Sequence, residues 1–232
     1  MRWLVALLIL SLAGCATKMG KDGRTQTTVD AKYLVKSDVD RIADADRAEV
    51  VAGLLVIADK LYKRNPKEWK KGGAVSREAA VERLRQRNSR SWPELGGLRE
   101  RQAAALAFSN TYEGDRVAAL IYGLLTMVDA AFEHKEEFYI LDSLNETKLY
   151  NCARNMEIAV WKLSTSRDAA GELFLLSNEL DPANRNISFE REFGRITGLL
   201  DFMAKVVADR NGRTISRAAQ SITTMIFLPV SF

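Results

Sequence analysis

One histidine, His134, and two cysteines, Cys15 and Cys152, occur among the 232 residues, and this restricts the chemistry open to the chain. A serine or cysteine nucleophile relying on an imidazole base would have to use His134. That residue stands in Glu133-His134-Lys135-Glu136-Glu137, where exposure and charge compensation at a helix C-terminus account for it. A metal site built on one histidine would need carboxylates from elsewhere, so neither metal nor cofactor is expected. Cys152 lies in an apolar stripe with Leu149 and Met156 and reads as a buried, inert thiol. The stretch from Gly14 to Lys21 fails as a phosphate-binding loop: five residues separate Gly14 from Gly20, and no hydroxyl residue follows Lys21.

Charge is the next source of chemistry. Between Lys60 and Arg90 there are eleven basic and three acidic residues, a local net of +8 in a chain whose total is +4. Arg83, Arg87 and Arg90 fall on one helical face at spacings of four and three, and Trp69 and Trp92 bracket the segment. Such a surface could meet a partner, anionic head groups or lipopolysaccharide phosphates; the other reading pairs these arginines with acidic residues of neighbouring helices. Glu113, beside Gly114-Asp115, is the one carboxylate considered as a glycan-cleaving acid. It lacks the glutamate-serine signature of lytic transglycosylases and reads as a loop residue.

The C-terminus carries no charge after Arg217 and gathers Met225, Ile226, Phe227, Leu228, Val230 and Phe232 around Pro229. At about 1.5 to 3 kcal/mol per large buried apolar side chain, this tail should dock. It either closes the protein's own core or serves, through Ile226, Phe227, Leu228 and Phe232, as a docking tail for a partner groove or membrane.

Met1-Arg2, the apolar run Trp3 to Leu12 and Leu12-Ala13-Gly14-Cys15 follow one another directly. This resembles the lipobox of bacterial lipoproteins. The apolar stretch is too short to span a bilayer and reads as a processed signal. The resemblance implies that residues 1–14 are removed and that Cys15 becomes the acylated N-terminus, held by two or three chains where one would bind reversibly. Ala16, where inner-membrane retention in Gram-negative bacteria would call for aspartate, implies the outer membrane. Residues 15–30 then form the lipidated cysteine and a polar tether, and residues 31–232 a single domain facing the periplasm.

The elements that must position these residues are helical. Ser37 can cap a helix with an acidic first turn whose apolar stripe runs through Val39, Ile42, Val50, Leu54 and Leu61 and stops at Asn65-Pro66. Ser76 opens a second helix, and Pro93 a third running toward Tyr112. The widest apolar stripe, Val117 to Phe132, follows Gly114; others run from Leu144 to Leu163, from Leu173 to Asp181-Pro182, and from a Ser188 cap to Asn211-Gly212. This pattern predicts an all-α fold, an irregular array or bundle of about seven helices in antiparallel pairs. Leu61-Tyr62, Asn65-Pro66 and Trp69, and later Leu176, Leu180 and Asp181-Pro182, resemble the ends of tetratricopeptide-type helix pairs, although the two proline breaks are 116 residues apart, not a multiple of that family's repeat.

With an anchor and no convincing catalytic constellation, the expected function is a non-enzymatic adaptor or assembly factor for an envelope secretion or transport complex. A carrier for a lipid-like small molecule is the alternative, and a cell-wall hydrolase the third reading. Nucleic acid is not expected as a partner.

Overall fold

The computed structural model describes residues 17–19, 25–27, 36–87, 92–179, 181, 183, 185–212 and 226–231. The lipobox with Cys15, Arg90 and Phe232 lie outside the described residues. Among the described residues the protein is all-α apart from a three-residue ladder, β1 (Thr17–Met19) antiparallel to β2 (Thr25–Thr27), within the segment expected to be a polar tether. Seven α-helices are described: α1 (Asp38–Arg64), α2 (Pro66–Lys71), α3 (Arg77–Arg85), α4 (Glu100–Leu106), α5 (Arg116–Ala131), α6 (Glu146–Thr165) and α7 (Ser188–Arg210). Their lengths run from 6 to 27 residues.

Local chemistry explains most boundaries. Ser37 and Asp40 cap each other's backbone at the start of α1, and Ser76 accepts from Ala79 N–H at the start of α3. Pro66 does not end the helical region; it is the first residue of α2, where its missing N–H costs nothing. The helix expected from Pro93 to Tyr112 is divided. Pro93–Leu95 is a single 3₁₀ turn, Gly96 and Gly97 adopt φ of 60° and 79°, and only then does α4 begin. The helix expected through Leu173, Phe174 and Leu176 is absent. The described residues between 166 and 187 instead form an irregular connection with isolated bridges Arg167–Leu173 and Glu179–Asn186. Ser188 is the first residue of α7, not its cap, and its N–H bonds Asn186 Oδ1 at 3.0 Å.

Four helices make the frame. Arg210 at the end of α7 bonds Asp40 at the start of α1 (3.2 Å), and Lys60 late in α1 bonds the Ser188 carbonyl (3.2 Å), so α1 and α7 run in opposite directions. The same test holds for α7 and α6, through Asn211–Glu146 (3.1 Å) and Asp201–Arg154. It holds for α6 and α5, through Lys148–Glu133 (2.9 Å) and Asn155–Met127 Sδ (3.2 Å). For α5 and α1 the two ties are Asp129–Arg47 (2.9 Å) and Asp115–Tyr62 (2.8 Å). The ring α1–α5–α6–α7 is therefore an up-down-up-down bundle in which α2, α3 and α4 fill the connection from α1 to α5.

Within it α5 is buried along its whole length from Val117 to Ala131, which is why its residues are apolar on every side. Phe132, Phe138, Phe189 and Phe193 complete the core with Leu54 and Leu120. On its remaining side α5 meets α4 at close range: a Cβ at Gly123 would stand 2.5 Å from Ala104 N and 2.6 Å from the Glu100 carbonyl. Glycine there permits backbone approach.

Candidate functional site

The expected basic face is not an open surface. Arg87 is turned inward and buried, with Nε and Nη2 on the two oxygens of Asp129 at 2.8 and 2.6 Å. Arg47 reaches the same carboxylate at 2.9 Å, so two cations share one buried acid, with Glu136 at 3.9 Å from Arg47. Arg83 is part-buried, ion-paired with Glu94 at 2.6 Å and stacked 4.2 Å over the ring of Trp92. Trp92 is itself buried against Tyr122 at 4.9 Å. Trp69 packs on the core with Lys70 over its ring. The structure thus brings Arg83 and Trp92 together but separates them from Arg87 and Trp69, because partners drawn from the Pro93 turn and α5 neutralise Arg83 and Arg87.

The tail is likewise docked on its own molecule. Asn155, fully buried in α6, accepts from Leu228 N–H (2.7 Å) and donates to the Leu228 carbonyl (2.9 Å). Asn151 donates to the Pro229 carbonyl (3.0 Å), and Ser231 Oγ donates to Glu100 (2.8 Å). Phe227 and Val230 are buried while Ile226 faces solvent. The tail closes the core, so Phe227 and Leu228 are not a free docking peptide.

Cys152 is fully buried and its thiol is pushed well above its ordinary range, by burial first and then by the nearby Glu100 and Asp129 charges. Exposed His134 follows α5 with φ of 58°. Exposed Glu113 lies in the connection before Asp115. Asp115 caps α5 through Ala118 N–H (2.8 Å), and burial raises its carboxyl to about 6 despite that bond and one from Tyr62. Among the described residues no three His, Cys, Asp or Glu side chains are grouped to hold a metal, and no helix is long and apolar enough to cross a membrane.

What the structure adds is a seam between the two longest helices. Glu49 of α1 pairs with Arg195 of α7 at 3.1 Å. Seven residues, two turns, before Glu49 stands Ile42, and seven after Arg195 stands Phe202. In an antiparallel pair this sets Ile42 and Phe202 level on the outer edge. Both are exposed, at 41% and 56%, and Val56, two turns beyond Glu49, continues the α1 row at 47%. Beneath this row, between Ile42 and Glu49, Asp46 is buried; its Oδ2 has no hydrogen-bond partner, and desolvation raises its carboxyl to about 7.

At the end of the bundle where α1 begins and α7 finishes, a hollow of about 290 Å³ is lined by Val39, Ala43, Phe138, Leu144 and Val207 with the Asp40–Arg210 pair at its wall. The sequence reading missed the seam. Ile42, expected in the buried stripe with Val50 and Leu54, is instead on its flank at 41% exposure, and its signal was the heptad spacing it shares with Glu49 and Val56. Compared with known proteins, the chain matches no family model, no curated protein and no solved structure.

Proposed function

We propose that this chain is an outer-membrane lipoprotein whose helical domain faces the periplasm and works as a non-enzymatic adaptor for an envelope secretion or transport complex. The anchor is read from the lipobox at Leu12 to Cys15. The observation that carries the adaptor reading is the seam: large apolar side chains of α1 and α7 stand level and exposed on two long helices locked together by charge pairs. A rigid apolar row rimmed by Glu49, Arg195, Lys205 and Asp209 has the make-up of a surface that receives another protein. An anchor near a membrane-embedded partner raises the effective concentration of that surface.

The test is capture from detergent-solubilised native envelope through a tag in the Lys18–Asp30 segment, with Ile42→Asp and Phe202→Asp chains alongside. A stoichiometric membrane partner lost in both variants is the expected result; a protein that comes down alone overturns the reading. The 290 Å³ hollow favours a second reading, carriage of a small amphiphile with its polar group at Asp40 and Arg210. Lipid retained by the captured protein would support that one.

A further inference from the structure

We infer that the turn carrying Ile140 and Leu141 is a membrane-contacting tip that sets the bundle with its tether end toward the bilayer. This rests on the lipid-anchor reading above. Asp142 N–H bonds the Tyr139 carbonyl at 2.7 Å, so Ile140 and Leu141 are the two central residues of a β-turn. Those positions reward glycine, proline, asparagine, aspartate or serine, and nothing in turn geometry asks for two large aliphatic side chains. They are nonetheless 55% and 94% exposed.

The turn is fixed in place. Asp142 ion-pairs with Lys135 and accepts from Tyr139 N–H at 2.9 Å. Phe138 N–H bonds Asp44 of α1 at 2.8 Å while its ring is buried 6.0 Å from Phe132. Tyr139, beside the tip, lies under Lys36 at 4.9 Å, the amphipathic pairing of an aromatic ring and a cation that suits a headgroup layer. The result is a braced apolar point, and bracing keeps it from folding back onto the domain.

Its position identifies the occupant. Lys36 ion-pairs with Asp44 and with Glu137, three residues before the tip, so the chain arriving from Cys15 enters the domain beside this turn. Even with β1 and β2 paired, residues 15–17 and 27–36 together could reach about 40 Å when extended, as far as α1 is long, about 40 Å. The tether alone would therefore leave either end of the bundle free to face the membrane, and a second contact is needed to choose one. The cations nearest the tip, Lys36, Lys135 and Arg210, each have an acidic partner, Asp44, Asp142 and Asp40, so the contact is apolar and independent of anionic lipid.

The test uses the lipidated chain in vesicles of phosphatidylcholine, and of phosphatidylcholine with phosphatidylglycerol, carrying an environment-sensitive fluorophore at Leu141→Cys or, at the far end of the bundle, at Val75→Cys. Labelling is selective because Cys152 is fully buried. The expected result is a blue shift and quenching by a lipid-borne quencher at position 141, equal in both vesicle types, with neither at position 75, and loss of the orientation in an Ile140→Asp chain labelled at 141. A water-like signal at 141, or equal quenching at 141 and 75, overturns the proposal. Flotation of the wild-type and Cys15→Ser chains reads the anchor separately. Anchored protein with position 141 in water sinks the tip alone. Quenching at 141 with flotation that does not need Cys15 sinks the anchor alone, and absence of flotation sinks both.

Discussion

Arg87 Nε and Nη2 lie 2.8 and 2.6 Å from the two oxygens of Asp129, a forked ion pair that ties the end of α3 to α5 with both partners out of water. Asp129 also receives Arg47, so α1, α3 and α5 converge on one carboxylate. Removing one partner strands buried charge. Asp129→Ala, which leaves two arginines unmatched, should cost about 3–5 kcal/mol, and Arg87→Met somewhat less because Arg47 remains. Urea unfolding of the two single variants and the double variant checks this: the double should fall well short of the sum, and strict additivity would show that the pair is not coupled.

The clamp on the tail is a second buried polar device. Asn155→Leu leaves the Leu228 N–H and carbonyl without their partner, at about 1–3 kcal/mol for each group. Amide exchange at Leu228 and Val230 should accelerate selectively in that variant while exchange in α5 stays slow. Unchanged protection at Leu228 would mean that Asn155 does not hold the tail.

Asp46 makes stability depend on pH. Its carboxyl titrates near 7 when folded and near 3.9 when unfolded, so between those values the folded chain binds more protons and stability falls as pH rises. Asp115, raised to about 6, acts in the same direction. Asp46→Asn removes the larger part of that dependence. Its melting temperature relative to the parent should therefore rise from pH 5 to pH 8; a difference that is flat with pH contradicts the assignment.

Gly123 marks where α4 lies on α5. A methyl group there would meet backbone atoms of Glu100 and Ala104, which cannot swing aside as a side-chain tip could. Gly123→Ala should cost about 1–3 kcal/mol, read by thermal denaturation, whereas Gly198→Ala, with nothing within 4 Å of its added Cβ, should not destabilise.

The long amphipathic helices α1, α5, α6 and α7 were legible because a buried stripe repeats over many turns, and the caps at Ser37 and Ser76 were legible because their chemistry is local. Short elements depend on more than period. Leu173, Phe174 and Leu176 have helix-like spacing, yet the backbone around them is spent on bridges to Arg167 and, further on, between Glu179 and Asn186. Arginine spacing predicted a helical face, but α3 ends at Arg85, before Arg87, and the spacing does not show what covers it. Asp129, the one acid inside the apolar run of α5, was the signal that a buried cation had to come from somewhere. Ile140 and Leu141 could not be placed in a turn from sequence, because large aliphatic residues carry no turn signal and the bond that braces the turn on α1 comes from Asp44, distant along the chain.

The seam is the centre of the functional account, and a photo-crosslinking residue at Phe202 tests it most directly. Irradiation of intact envelopes carrying that chain should give one discrete adduct with an envelope protein, matched by an adduct from position 42 and absent from position 75, which is more exposed than either. No adduct at 202 and 42, or the same diffuse products from all three positions, would contradict the adaptor reading.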